Sequence, residues 1–563
     1  MVSETKRANR KIKVKQKTWI GELIDYYKIV DGGWFGERKH WLNDDYVKFI
    51  RFAQWKIDLA GEGILGFITN HSYLDNPTFR GMRQSLMNSF DEIYILNLHG
   101  NSLKKEKCPD GSKDGNVFDI KQGVAIAIFI KHRPEPAKEK KGEKEESKVY
   151  HSEIWGLREK KNGWLLENDI KTTNWKKLIP TSPYYFFVPR EEKGRENYER
   201  YWKISDIFLV NVTGIVTARD HFVIDFDKEP LKARVMTFRN KDLPDEIVKE
   251  GLKLRENYMW RVSKAREDLI ATDSWEEYFT KILYRPFDIR HIYFHDSVVW
   301  RTRKEVMRHM MQDNLGLITP KQFKEEPGAF VTDTIMGHKT VSAYDINYLF
   351  PLYLYPDTDK KDLFSHKKES EGRQPNINLE FLKTFYEVYK KEPTLEEIFN
   401  YVYAVLYSTI YRTKYAEFLK TDFPRIPFTR DYKLFDKVEK QGKTLVDLHL
   451  LKSSELDQPI VKFQGKGDNK VEKVKCQQGR VFINNGQYFE GISPEVWQYQ
   501  IGGYQVCDKW LKDRKGRILS LDDIRHYCKV VTAIKNTIEI QKEIDNLYPE
   551  IEKGTIEFRN EKE

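Results

Sequence analysis

The 563-residue sequence has only four cysteines, Cys108, Cys476, Cys507 and Cys528, and no two of them stand at a zinc-ligand spacing. That excludes a zinc-finger module and a disulfide-stapled secreted scaffold, and a reduced, cytoplasmic setting is expected. No apolar run approaches the roughly 20 residues of a membrane span. The basic N-terminus is followed by no apolar segment of signal-peptide type, so no membrane partner is expected. No Gly-x-Gly-x-x-Gly loop follows a strand-like run, and there is no P-loop. The nearest glycine pair, in Gly465-Lys466-Gly467, precedes no helix signal and reads as a turn. No paired histidines have metal spacing, and no metal site is expected. A chemical site does not emerge from these residues alone.

What is present is a polar globular composition, with 40% hydrophobic and 32% charged residues. The length fits about two to four domains. A net charge of +10 permits nucleic-acid binding without proving it. Part of that charge is local: Lys6, Arg7, Arg10, Lys11, Lys13, Lys15 and Lys17 stand against Glu4 in residues 1–17, which read as a solvated basic tail. The chain is rich in aromatics, with 31 Tyr and 32 Phe, and these serve either as core or as stacking surfaces for bases.

Along the chain, Asp44 and Gly61 bracket a helix carrying Val47, Ile50, Phe52, Trp55, Ile57 and Leu59. Ile64–Ile68 reads as a buried strand, residues 78–89 as a helix after the Asn76-Pro77 break, and Ile93–Leu98 as a second strand. This strand–helix–strand order favours a parallel sheet. Val124–Ile130 is a third strand and the most apolar run. Residues 101–115 form a polar loop, and the mixed-charge run 132–148 reads as a solvated hairpin loop rather than a binding site. From about 160 to 370, short β-rich segments such as Val212–Thr217 and His291–Phe294 alternate with turns. The last third is more helical. Thr394-Leu395-Glu396-Glu397 is a capping box before the apolar stretch 398–419, and Ser520-Leu521-Asp522-Asp523 starts another helix. Between them, 459–500 reads as short strands.

Several segments carry a resemblance. Asp44–Ile50 resembles the helix that follows the catalytic Asn-Pro-Pro-Tyr loop of a gamma-class amino-methyltransferase. Gly63–Asn70 resembles the next core strand, and Asn116-Val117-Phe118 with Gly123–Ile126 resembles the motif that helps form the target-base pocket. The pattern continues through Thr213-Gly214-Ile215-Val216-Thr217-Ala218-Arg219-Asp220, Tyr284-Arg285-Pro286-Phe287-Asp288, Phe423-Pro424-Arg425-Ile426-Pro427 and Ile501-Gly502-Gly503-Tyr504-Gln505-Val506. In order and number these segments, over about residues 18–545, are similar to type ISP restriction-modification enzymes and their C-terminal specificity region.

The resemblance implies an α/β fold: an incomplete Rossmann-like methyltransferase lobe, then a mixed α/β target-recognition region with a helical C-terminal part. The expected divisions are a basic tail (1–17), a partial methyltransferase lobe (18–160), a target-recognition region (161–385) and a C-terminal specificity region (386–563). It further implies part of a site-specific adenine-N6 DNA methyltransferase that uses S-adenosylmethionine and acts on double-stranded DNA. In such enzymes the target adenine is flipped from the duplex and held against aromatic faces, which implicates Phe118. The cofactor loop and the Asn-Pro-Pro-Tyr tetrapeptide are absent from the sequence, so no catalytic or cofactor-binding residue is assigned. Asn76-Pro77-Thr78-Phe79 and Ser182-Pro183-Tyr184-Tyr185 are decoys for the tetrapeptide. The DNA contacts expected are Arg219, on a loop after a strand, and the basic stretch Arg301, Arg303, Lys304 and Arg308. Two readings stay open: one part of a split enzyme completed by an N-terminal methyltransferase chain, or a non-catalytic specificity module or relic.

Overall fold

The computed structural model describes residues 17–35, 40–103, 106–133, 146–190, 194–323, 326–356 and 372–557. Most of the basic tail and most of the mixed-charge loop at 132–148 lie outside the described residues. The chain forms two compact units, Met1–Glu192 and Lys193–Glu563. Among the described residues no helix is long and apolar enough to cross a membrane.

The first unit is built on a five-stranded sheet in the order Gly63–Asn70, Val124–Lys131, Glu92–His99, Lys148–Glu153, Lys176–Leu178. The first two strands in sequence run the same way, as the helix between them predicts, but they are not neighbours. Val124–Lys131 inserts between them and pairs antiparallel with both. The expectation of a simple parallel pair is therefore corrected. The physical reason lies in composition: the most apolar segment takes the inner position, where Ala125, Ala127 and Phe129 are buried together with Ile93 and Ile95. Only Glu92–His99 and Lys148–Glu153 pair in parallel. The sheet continues past residue 160, because Lys176–Leu178 adds a further strand to Lys148–Glu153.

The Asp45–Ala60 helix ends as its sequence dictates, with Gly61 left-handed at φ 81° and its N–H bonded to the Ile57 carbonyl at 2.9 Å. Asp44 occupies the N-cap position, but its side chain makes no capping bond. One helix face, with Val47 and Ile50, joins the core; the other leaves Phe49, Phe52 and Leu59 exposed. Asn76 starts the next helical segment by accepting the Thr78 N–H at 3.0 Å, and Phe79 is core. At the second decoy, buried Arg83 holds the Tyr184 carbonyl at 2.6 and 2.9 Å. Both decoy segments are thus occupied in structure.

The second unit carries two four-stranded sheets, ordered Ile224–Asp225, Asp288–Tyr293, Phe279–Arg285, Ile335–Met336 and Phe330–Thr332, Gly316–Pro320, Asn347–Pro351, Val212–Thr213. A third, between Lys462 and Glu490, realises the short strands expected at 459–500. Both capping boxes form, at Thr394 with Glu397 and at Ser520 with Asp523. They start the helices Leu395–Tyr407 and Leu521–Lys553, which pack with Tyr432–His449.

This helical part absorbs much of the aromatic content. Tyr401 stacks between Phe428 and Phe435, with ring centroids 4.9 Å away on each side. Tyr401, Tyr403, Tyr407 and Tyr411 are fully buried, and each hydroxyl has a partner: the carbonyls of Pro427, Ala329 and Arg425, and the Nδ1 of His449. Burial pushes the His449 imidazole down to about 3, so it stays neutral between Tyr403 and Thr537. The Phe423–Pro427 segment is likewise architectural, since Arg425 ties the carbonyls of Glu199 and Tyr201 at 3.0 and 2.9 Å.

Candidate nucleic-acid interface

Loops from four parts of the second unit converge. Gly214 approaches the Gly337 backbone so closely that any Cβ would collide with its carbonyl, which explains the glycine in Thr213-Gly214-Ile215. Ile215 bonds the Met336 carbonyl at 2.9 Å, and His338 returns to the Ile215 carbonyl. Val216 and Arg301 exchange backbone bonds at 3.1 and 2.9 Å. Trp260 donates its indole N–H to the Ser297 carbonyl at 2.7 Å, joining the turn at 257–260 to the same group. Ala218 and Arg303 both hold left-handed backbone at φ 58° and 56°, a conformation that neighbouring structure must enforce on a side-chain-bearing residue.

The expected DNA-contacting residues fare unequally. Arg301 is exposed, and its guanidinium has no hydrogen bond or ion pair among the described residues. Arg303 is half-buried in the same loop. Lys304 is exposed but bonds Asp296 at 2.5 Å. Asp296 is pulled up by burial, yet the ammonium of Lys304 and the hydroxyl of Thr302 hold it below the usual carboxylate value. Arg308 ties the carbonyls of Tyr355 and Pro356 at 2.7 and 3.0 Å. Arg219 departs most from expectation. It is only 4% exposed, its guanidinium lies 3.4 Å over the Trp260 ring, and Nη1 donates to the Val298 carbonyl. Burial lowers it to about 10. Placed so, Arg219 braces the loop cluster rather than reaching a phosphate, because the Trp260 ring and the Val298 carbonyl hold its side chain inward.

The sequence reading missed the tip of that cluster. Asn257 forms an Asx turn by accepting the N–H groups of Met259 and Trp260, which projects Tyr258 (91% exposed) and Met259 (65% exposed) into solvent. Arg255 and Arg261 flank them and are exposed. The available signal was an Asn-initiated turn with aromatic residues between arginines.

In the first unit, Phe118 is about half exposed, not core. Asn116 accepts its N–H at 2.9 Å while donating to the carbonyls of Gly100 and Gln122. The base of this loop is locked by Lys161, which is fully buried, ion-pairs Asp114 at 2.7 Å and donates to the carbonyls of Leu98 and Gly115. Asp114 in turn accepts the N–H groups of Gly100 and Gly156. A second cluster joins His71 and His99, at the ends of Gly63–Asn70 and Glu92–His99, with Glu106. Sequence spacing gave no hint of it.

The family model described as the Type ISP C-terminal specificity domain matches residues 206–543. No curated protein matches the chain. Among solved structures, the ATP-dependent Type ISP restriction-modification enzyme LlaBIII bound to DNA aligns with a TM-score of 0.71 at 23% identity over 94% of this chain. A nuclease-deletion mutant of the Type ISP enzyme LlaGI in complex with a DNA substrate mimic gives 0.67 at 21% over 93%. A DrdV–DNA complex gives 0.68 at 21% over 91%. At these identities the likeness is one of fold. The chain spans 36% of LlaBIII, 42% of LlaGI and 52% of DrdV. With the specificity-domain match lying within the second compact unit and covering more than half of the sequence, the chain belongs to the Type ISP restriction-modification family.

Proposed function

We propose that the chain supplies DNA target recognition to a site-specific, adenine-N6 DNA methyltransferase of a restriction-modification system. The observation that carries this reading is the coincidence of the specificity-domain match, 206–543, with the compact unit Lys193–Glu563, whose loops converge around Arg301. Arg301 has the free fork needed to grip a phosphate or a guanine edge. Tyr258 offers an exposed aromatic face between two arginines, suited to stacking on a base or wedging at a step. Arg303, Lys304, Arg255 and Arg261 add positive charge for the backbone. In the first unit, Phe118 is exposed and can offer its face to a flipped base.

The test is binding of the purified chain to mixed-sequence and modified-site duplexes by fluorescence anisotropy. Arg301→Ala is expected to weaken binding by about 1–3 kcal/mol if it reads a base, and Tyr258→Ala by a similar amount if it stacks. Affinities equal to the parent protein in both variants would remove this loop cluster from the interface.

The methyl-transfer half of the proposal is assigned to a complementing segment. Gly63–Asn70 is the outer strand of its sheet and pairs on one side only among the described residues. Ile64 and Ile68 on that strand are exposed, as are Phe49, Phe52 and Leu59 on the Asp45–Ala60 helix. An apolar strand edge of this kind invites another strand, from the same polypeptide upstream or from a partner chain. The residues at the carboxyl ends of the sheet do not fit S-adenosylmethionine. His71, Asn97, His99 and Asn101 fill that position with mutual hydrogen bonds. The 563-residue chain by itself is therefore expected to show no S-adenosylmethionine binding in calorimetry and no tritiated-methyl incorporation into DNA. Saturable single-site cofactor binding would overturn this division of labour. Addition of a segment bearing the cofactor loop and Asn-Pro-Pro-Tyr is expected to restore incorporation. Failure of such a segment to bind would favour the non-catalytic specificity module.

A further inference from the structure

The antiparallel insertion of Val124–Lys131 between Gly63–Asn70 and Glu92–His99 has a chemical result at one end of the sheet. The register sets Val124 opposite Asn70 on one side and opposite His99 on the other. His71, the residue after the first strand, and His99, the last of the second, therefore flank the start of the inserted strand, with ring centroids 6.3 Å apart and planes at 90°. Both are buried. Gly123 permits the arrangement, since a Cβ there would overlap the His71 imidazole. Glu106 then lies against Asn101. The Glu106 N–H bonds the Asn101 carbonyl at 3.2 Å, and the Asn101 N–H donates to the Glu106 carboxylate at 2.8 Å. One potential ligand atom from each of His71, His99 and Glu106 lies within 4.8 Å of the others.

Hydrogen bonding fixes which imidazole nitrogens carry lone pairs. The Asn97 Oδ1 accepts the His99 backbone N–H at 3.1 Å, so the atom there is an acceptor, and the His71 Nδ1 at 3.0 Å from it is the protonated nitrogen. Nε2 of His71 is left as the lone-pair nitrogen, approached by the Asn101 amide at 3.3 Å. The His99 Nε2 donates to the Glu153 carboxylate at 3.0 Å, which leaves Nδ1 as its lone-pair nitrogen. That Nδ1 is buried and has no hydrogen-bond partner among the described residues. Its residue is held at φ 51°, at an irregularity in the strand pairing between Asn97 and His99. Such bulges re-aim side chains, and an unpaired buried acceptor at strained backbone calls for a ligand.

We propose that His71, His99 and Glu106 bind a divalent first-row transition ion of the zinc type, which ties Glu106 to the carboxyl ends of Gly63–Asn70 and Glu92–His99. Two imidazoles and one carboxylate form a nitrogen-rich set that suits zinc, cobalt or nickel and not the all-oxygen preference of magnesium or calcium. Each histidine already has the outer partner that metal-bound imidazoles use, an amide carbonyl for His71 and a carboxylate for His99. The Trp155 indole stacks on the His99 ring at 3.3 Å, restricting its rotation. Ligand atoms of a tetrahedral site at bonds of about 2.1 Å stand ~3.4 Å apart, so the three groups, now within 4.8 Å of one another, close inward on the ion and the Asn101 amide gives up the His71 Nε2. A solvent molecule would take the fourth position. The site lies in the unit Met1–Glu192 and does not rest on the proposed DNA-binding role of the other unit.

The test uses the full chain, stripped with chelator and titrated with Zn2+ or Co2+ alone. Saturable single-site binding is expected, with visible d–d absorption for Co2+ competed by Zn2+ and no binding of Mg2+ at the same site. His99→Ala is expected to abolish the Co2+ spectrum. Glu153→Gln removes the outer carboxylate and should weaken affinity by about 10- to 100-fold. Glu106→Gln alters a half-buried loop residue and keeps the test decisive should His99→Ala fail to fold; it should shift the Co2+ spectrum and weaken binding. A parent chain that binds neither ion saturably overturns the proposal. So do Glu106→Gln and His99→Ala variants that bind Co2+ with unchanged spectrum and affinity.

Discussion

Replacing Asp288 with alanine is expected to destabilise the Lys193–Glu563 unit by about 3–5 kcal/mol. Asp288 is 1% exposed and is the junction of two guanidinium groups. Arg290 holds one carboxylate oxygen at 2.7 and 3.0 Å, and Arg514, from a helix end far along the chain, holds the other at 2.9 Å. The cations are themselves covered by rings: Arg514 lies 3.4 Å from the Trp510 centroid, and Arg290 lies 3.9 and 4.0 Å from those of Tyr284 and Phe226. Removing the carboxylate leaves two largely desolvated like charges with only the longer contacts to Asp513 at 3.6 Å and Asp523 at 4.0 Å, and that residual penalty dominates the loss. Chemical denaturation should report a lowered midpoint with an unchanged slope. Replacing all three charged residues with apolar ones of similar volume should cost far less than the single change, since the uncompensated charge goes too. A loss below about 1 kcal/mol for Asp288→Ala would assign this triad the weight of a surface pair. Acid should act in the same direction. Burial pushes the Asp288 carboxyl up, but Arg514 and Arg290 outweigh it and hold the folded value below 3.8. A depressed folded value means that the stabilisation is complete above the unfolded value and is lost as pH falls through the folded one. The acid unfolding limb of Asp288→Asn should consequently be flatter than that of the parent.

Duplex affinity is expected to fall by about 500-fold when salt rises fourfold, if about five phosphates are neutralised at roughly −0.9 per contact. Arg301, Arg303, Arg255 and Arg261, with Lys304 once a phosphate displaces Asp296, supply that number of cations around one loop cluster. A net charge of +10 raises the encounter rate, but it is the contacts formed that set the slope. Log affinity against log salt should therefore be linear near −4 to −5. Arg301→Ala should reduce the slope by about one unit while Lys304→Ala should reduce it less, because Asp296 already neutralises Lys304. A slope near zero would show that the duplex is not held through its backbone and would remove the basis for this interface.

Sequence by itself determined the elements whose information is local. Thr394 and Ser520 start helices because a hydroxyl followed three residues later by an acid satisfies orphan backbone groups without help from afar. Gly61 ends a helix for a reason equally local. The strands at 63–70, 92–99 and 124–131 were legible as apolar runs, although 63–70, expected to be buried on both faces, exposes Ile64 and Ile68, and the order of motifs along the chain was enough to place it in its family. Tertiary structure alone decided what those segments do to one another. Strand order depends on which run is apolar on both faces, so Val124–Lys131 separates two strands that sequence order would pair. The fate of an arginine depends on neighbours from other segments: Arg301 reaches solvent, Arg219 lies on Trp260, and Arg514 closes on Asp288. No spacing rule finds His71, His99 and Glu106, because they meet only through the register of the inserted strand and the return of its preceding loop. Local backbone chemistry acts over three or four residues, whereas burial and ligand geometry are set by contacts that folding makes across the whole unit.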